Sequence, residues 1–493
     1  MKRLSPDQLA ELPADVVRPA YERSATRVGI VHLGVGAFHR AHQAVYVDDR
    51  LAAGETDWAI CGASLRAADT SDALNPQRGL YTLAVRSGRD ERLRVIGALR
   101  RILLAPRNPE ALIEAMSDPA VCIVSLTVTE KGYCHDPATG ALREDHPDIK
   151  ADLSHPREPR TAPGFLAEAL RRRREARTPP FTVLCCDNLP SNGKTVARVV
   201  ARYAALLDAD LARFVENEVV FPSTMVDRIV PATTDSDRTA ISRRLGLEDA
   251  WPVVTEPFTQ WVIEDRFGTG RPRLEDAGAD LVADVAPYEL MKLRLLNGSH
   301  STLAYLGYLA GYETVSDVMR DDDFAVFMRD MMDREIAPTL AVPVGADLDG
   351  YKRLLLARFA NPTLHHRTWQ IAMDGSQKLP QRLLATIRDR LREAAPIAHL
   401  AVGVAAWMRY VTGIDEHGRT IDVRDPMSRE LKALADQAGP VAARLAPALL
   451  GVGAIFGDLP RDPRFVSAVA DALAQIFDKG VRRTVADVNC ARA

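Results

Sequence analysis

The chain has 493 residues, 47% hydrophobic and 26% charged, enough for about two to four domains of ordinary globular composition. Its 63 basic and 66 acidic side chains leave a net charge of -3, which argues against a nucleic-acid surface or a polybasic membrane patch. No run of about 18 apolar residues suggests a membrane span, and the opening MKRLSPDQLAELPADVV lacks the apolar core of a signal peptide.

Six cysteines, at 61, 122, 134, 185, 186 and 490, are too few and too scattered for a disulfide framework, and their spacing misses zinc patterns. Cys61, Cys122, Cys185 and Cys186 lie in apolar runs, where cysteine behaves as a small hydrophobe. A reducing cytoplasm is the expected compartment.

In chain order, four apolar runs come first: VGIVHLGVG (28–36), WAICGASL (58–65), AVCIVSLTV (120–128) and FTVLCCDN (181–188). They lack polar alternation, which suits parallel strands covered on both faces. PEALIEAM and the stretch from Gly164 to Arg177 carry helical spacing between them. The basic run Arg171 to Arg174 within that stretch reads as a solvated helix face. Strands alternating with helices predict an α/β fold, a Rossmann-like doubly wound domain over residues 1–284. Beyond DAGADLVADVAP, segments such as YELMKLRLL, DFAVFMRDMMDREI, LPQRLLATIRDRLREA and FVSAVADALAQIF carry only helical spacing. They predict a mainly helical domain over residues 285–493.

VGIVHLGVGAFHRAHQ sets Gly34 and Gly36 at the end of the first strand with a helix after them. Glycines there permit a tight turn and close backbone approach to a pyrophosphate. The third glycine of the dinucleotide fingerprint is absent, with His39 in its place, so the motif alone is weak. An acidic residue after the second strand would hold the ribose hydroxyls of NAD, and Asp69 is available, later than the usual spacing of about 20 residues. Arg66 nearby could instead meet a 2′-phosphate. Strand ends carry ligands in such sheets. SLTVTEKGY offers Thr127, Thr129 and Glu130 there, CCDNLPSNGK offers Asp187 and Asn188, and TMVDRIVPATT offers Asp227. Asn188 could donate to a substrate oxygen, but taken alone it reads rather as a cap of the turn before the next helix.

PYELMKLRLLNGSH reads as a helix. At about 100° per residue, Glu289, Lys292, Asn297 and His300 fall within an arc of about 140°. Four polar groups on one face of an apolar segment suggest a pocket, because burying them unpaired is costly. A desolvated lysine can take a hydroxyl proton and an asparagine can stabilise the alkoxide that forms. An exposed Glu–Lys pair with a satisfied histidine behind it explains the same residues, and the pattern alone leaves both readings open.

HLGVGAFHRAHQAVYVDD, ICGASLRAAD, SLTVTEKGY, CDNLPSNG, FPSTMVDRIVPATT, KLRLLNGSH and NPTLHHRTWQIAMDGSQKLPQR together resemble the mannitol dehydrogenase family of long-chain polyol and uronate dehydrogenases. The resemblance implies a Rossmann-like domain, a helical domain and metal-independent NAD(P) chemistry, and Asp69 selects NAD as the expected cofactor. It implies Lys292 as general base, Asn188 and Asn297 as oxyanion donors, Glu289 as proton relay, and His300 and Asp227 as substrate contacts. It places the cofactor on Gly34, Gly36, Ala37, Phe38, His39, Arg40, Asp69, Thr129 and Glu130. QIAMDGSQKLPQR is most similar to the branch interconverting D-mannonate and D-fructuronate, with polyol oxidation as the alternative. Arg367, Lys378 and Arg382 would then meet a sugar-acid carboxylate, although each also reads as a solvated helix charge. The adjacent His365 and His366 point in different directions with no third ligand evident, so no metal is expected. A small sugar acid or polyol is the expected partner, and the oligomeric state is left open.

Overall fold

The computed structural model describes residues 1–491 apart from 89, 137, 138 and 344. It divides into two compact units, Met1–Ala286 and Pro287–Ala493.

In the first unit the strands are β1 (Val28–Leu33), β2 (Ala59–Ser64), β3 (Tyr81–Ser87), β4 (Asp90–Ile96), β5 (Leu99–Leu104), β6 (Ile123–Leu126), β7 (Thr182–Cys185), β8 (Thr224–Asp227), β9 (Val253–Thr255), β10 (Gln260–Glu264) and β11 (Asp280–Val282). Five of them form one parallel sheet in the order β5-β2-β1-β6-β7. The chain steps outward from β1 in one direction and then in the other, so the strand order reverses beside β1, where such sheets bind ligands. The four apolar runs supply β1, β2, β6 and β7, each almost wholly buried.

The fifth strand of that sheet, β5, has no continuous apolar run. It carries Arg100 and Arg101, which an edge strand accommodates because one side stays open. Two three-stranded sheets accompany it, β4-β3-β9 and β11-β10-β8. Their short or charge-rich strands, such as DERLRVI in β4, give no buried-strand signal. The helix Ala162–Glu175 covers the main sheet, and its basic run is not uniformly solvated. Arg171 and Arg172 pair with Glu168, whereas Arg173 is 1% exposed and donates to the carbonyls of Met116, Pro179 and Val121.

The second unit is helical, and among its described residues β-pairing is confined to isolated bridges at Thr314–Arg367 and Ile414–Thr420. Its core centres on the helix Ala398–Tyr410, apolar on nearly every face and packed between Ser299–Leu309 and Pro463–Cys490. The helix Pro463–Cys490 breaks at Gly480, whose φ of 78° leaves the helical region.

Three predicted helices are interrupted by π-helical turns: Lys292–Gly298, Met331–Ile336 and Pro380–Leu384. The first packs against both of the others. Gly298 allows this approach, since a Cβ there would stand 2.8 Å from the carbonyl oxygen of Arg382.

Candidate active site

A cavity of about 900 Å³ opens at the carboxyl ends of the parallel strands in the first unit. Gly34 and Gly36 follow β1 into it, Ser64 to Ala67 follow β2, Ala105 and Pro106 follow β5, and Thr127 to Thr129 follow β6. Gly34 has a φ of 94°, and a Cβ on it would lie 2.2 Å from the carbonyl oxygen of Thr127. Only glycine fits there. A Cβ on Gly36 would meet nothing closer than 3.9 Å, so the space in front of that backbone is open. An open cradle of this kind, over two glycines at a strand end, fits the diphosphate of a dinucleotide.

The residues after the glycines divide. Ala37 and Phe38 begin the helix and stay part-exposed, with Phe38 stacked on His42 at 5.0 Å. His39 and Arg40 turn into the protein. His39 is fully buried and stacks on His32 with ring centroids 3.4 Å apart. The place of the fingerprint's third glycine is thus taken by an imidazole packed against a residue of β1. Arg40, 2% exposed, lies over the Tyr81 ring and donates to the carbonyl of Trp251. Burial lowers its pKa to about 10. Its side chain is therefore engaged in the core rather than at the cavity wall.

Thr129 lines the cavity at a φ of 66°, unusual for a β-branched residue, and Glu130 follows it, exposed. Asp69 is exposed at the first position of the helix Asp69–Leu74, while the cavity wall there is Arg66, Ala67 and Thr70. Asn188 is exposed just past β7, and Asp227 is buried at the end of β8, opposite Gln260 of β10.

Asp187 turns out to be structurally central. Its carboxylate accepts from the Val128 backbone N–H at 2.9 Å and the Tyr133 hydroxyl at 2.7 Å, tying the loop after β6 to the end of β7. Burial lifts its pKa to about 6, against the lowering effect of those donors. A carboxylate ending an apolar strand was visible in the sequence, but its acceptor role was not.

In the second unit the π turn alters the geometry of the polar face. Five residues of α-helix would put Asn297 about 140° from Lys292. A π turn closes hydrogen bonds from i to i+5 and brings positions five apart nearly into line. Lys292 is 8% exposed, Asn297 and His300 are part-buried, and Glu289 lies one turn earlier in the helix Ala286–Met291.

His300 stacks on Phe359 at 5.4 Å and meets the edge of His366 at 4.6 Å. Its Nε2 is buried and finds no hydrogen-bond partner among the described residues, as is the case for Nδ1 of His366. Burial, then the positive fields of His366, Arg382, Arg358 and Lys378, hold His300 well below the usual imidazole pKa. Burial alone brings His366 to about 4. Both rings are neutral at ordinary pH. Arg382 donates to the Ser301 hydroxyl at 3.0 Å and Lys378 to the carbonyl of Met373 at 2.5 Å. Arg367 stands apart, exposed and 3.7 Å from Glu313. The buried Arg358, also near His300, gave only a weak sequence signal, an arginine in the apolar run LLLARF. Among the described residues no three His, Cys, Asp or Glu side chains gather as a metal site would require.

Residues 28–276 match the mannitol dehydrogenase Rossmann domain and residues 284–477 the mannitol dehydrogenase C-terminal domain. The chain belongs to the mannitol dehydrogenase family. It is thus an oxidoreductase of a family acting on the CH–OH groups of polyols or sugar acids. Within this family it is 48% identical to D-mannonate oxidoreductase of Escherichia coli over 96% of this chain and 98% of that one. It is 43% identical to mannitol 2-dehydrogenase of Aspergillus terreus over 95% and 94%. The Pseudomonas fluorescens mannitol 2-dehydrogenase, solved as a ternary complex with NAD and D-mannitol, superposes with a TM-score of 0.89 at 40% identity, covering 100% of both chains. No helix among the described residues is long and apolar enough to cross a membrane.

Proposed function

We propose that this family member interconverts D-mannonate and D-fructuronate with NAD. The observation that carries the reading is the surroundings of His300. A neutral imidazole presents a buried, unpartnered Nε2 beside the Lys292–Asn297 face, and Lys378, Arg382 and Arg358 all bear on it. A spare imidazole nitrogen suits a sugar hydroxyl, and guanidinium and ammonium groups suit a carboxylate. A polyol carries hydroxyls for the first but no carboxylate for the second.

Bound NAD would supply the hydride acceptor for the carbinol carbon. In the oxidation direction Lys292 Nζ takes the hydroxyl proton as the C–H bond gives up hydride, and Glu289 passes that proton outward. Asn297 donates a hydrogen bond to the developing alkoxide, and His300 holds the hydroxyl. The resemblance gives Asn188 an oxyanion role and Asp227 a substrate contact. In the first unit the open backbone at Gly36 and the turn at Gly34 receive the diphosphate. Asp69 or Arg66 reads the ribose.

A polyol 2-dehydrogenase is the second reading, favoured by the 40% identity to an enzyme solved with D-mannitol. The deciding experiment is a panel of D-mannonate, D-mannitol, D-arabinitol and D-sorbitol at fixed NAD. The proposal expects D-mannonate to have the highest kcat/KM, and mannitol outperforming it would overturn the sugar-acid reading.

A further inference from the structure

A histidine lies under the glycine turn with no cofactor role assigned to it. His32, in β1, is fully buried. Its Nδ1 is 2.8 Å from the Ser125 hydroxyl of β6. Its Nε2 is 2.9 Å from the Thr127 hydroxyl oxygen and 3.3 Å from the carbonyl oxygen of Gly34. The Thr127 hydroxyl donates to that same carbonyl at 2.7 Å.

With a neutral ring, these distances fit one consistent assignment of the protons. Burial lowers the His32 pKa to about 3, so the ring is neutral and carries one N–H. Two oxygens face Nε2, and a lone pair there would repel the Gly34 carbonyl, so the proton is on Nε2. Thr127 has spent its single proton on Gly34 and accepts from Nε2–H. Nδ1 is then the acceptor, and Ser125 supplies the proton. The chain runs one way, from Ser125 through His32 and Thr127 to the Gly34 carbonyl. His39, stacked 3.4 Å above, fixes the plane of the ring.

The Gly34 carbonyl also accepts from the Gly36 N–H at 2.7 Å. Its direction therefore sets both the positive φ of Gly34 and the turn that leaves Gly36 open to the cavity. Swung outward, it would present a negative dipole where a diphosphate must lie. We infer that His32 is a positioning residue for dinucleotide binding, acting through Thr127 on the Gly34 carbonyl. The inference rests on the proposed use of NAD.

The test measures NADH affinity by fluorescence titration, and KM for NAD and kcat by steady-state kinetics, on the full-length protein. It compares wild type, His32→Leu, His32→Gln, Thr127→Val and the His32→Leu/Thr127→Val pair. His32→Leu should weaken NADH and raise KM for NAD about tenfold or more, with kcat changing far less. His32→Gln, which can still donate to Thr127, should recover most of the loss. Thr127→Val, nearly isosteric, should reproduce the effect should the leucine variant fail to fold, and the pair should be no worse than the stronger single variant. NADH binding by wild type with undiminished affinity in His32→Leu and Thr127→Val would overturn the inference while leaving the cofactor reading intact. Additive losses, or loss of kcat with KM unchanged, would also overturn it. A wild type that binds no NADH would overturn both.

Discussion

Replacing Asp187 by asparagine tests the central feature of the strand ends in the first unit. Burial raises this carboxyl from an ordinary 3.8 to about 6 in the folded protein. Between those two values the folded state holds a proton that the unfolded chain has lost, so stability falls as pH rises. The full interval corresponds to about 3 kcal/mol. Most of the lower half lies where other carboxylates also titrate, and the useful window is pH 5 to 8, which contains about 1.4 kcal/mol of the effect. Asp187→Asn removes the titration while keeping the side-chain size. The assay is urea-induced unfolding of both proteins from pH 5 to pH 8. Relative to the variant, wild type should lose about 1.4 kcal/mol of stability across that range. Asp187→Leu, which removes the acceptor oxygen that asparagine would keep, should separately lower activity, because Val128 and Tyr133 then lose the group that ties the cavity-lining loop to β7. A stability difference that does not change with pH would refute the burial argument. A fully active leucine variant would refute the positioning role.

Lys292→Ala should lower kcat for alcohol oxidation by about 10²–10⁴-fold and remove one limb of its pH–rate profile, and a near-normal kcat would take the base role away from Lys292. Asp69→Ala should weaken NAD and relax rejection of NADP; an unchanged cofactor ratio would pass the ribose-reading role to another residue of the cavity wall, such as Arg66. Gly298→Ala forces a methyl to within 2.8 Å of the Arg382 carbonyl oxygen, which should cost about 1–3 kcal/mol in a denaturant titration and raise KM for the sugar; an unaltered midpoint would show that the two π turns can part without strain.

Long apolar runs were enough to read four of the five strands of the main sheet, because parallel strands buried on both faces need no polar alternation. β5 escaped notice because an edge strand can hold Arg100 and Arg101, β3 and β4 because polar and charged residues interrupt them, and β8 to β11 because such short strands carry little pattern. The helical character of the second unit was equally plain, but the π turns were not, since periodicity assumes 100° per residue throughout. At the candidate site, the glycine turn and the polar face from Glu289 to His300 were visible as residues out of place in apolar surroundings. Arg173 shows the opposite error. A charged side chain in a basic run reads as exposed, yet this one is buried against backbone carbonyls. Sequence alone does not reveal which backbone oxygens fold toward it.

The π turn at Lys292–Gly298 gives this segment one residue more than an α-helix would use to cover the same turn. Loss of one residue between Lys292 and Asn297 would let it relax into an uninterrupted α-helix, at little cost to its own hydrogen bonds. Four α-helical residues turn through about 400°, close to what the π turn achieves with five, so Ser299–Leu309 would keep its phase against Lys292. The same loss after Glu289 within Ala286–Met291, which has no extra residue to give up, would slip Glu289 by about 100° against everything downstream. Tolerance to a missing residue is thus confined to the π turn itself.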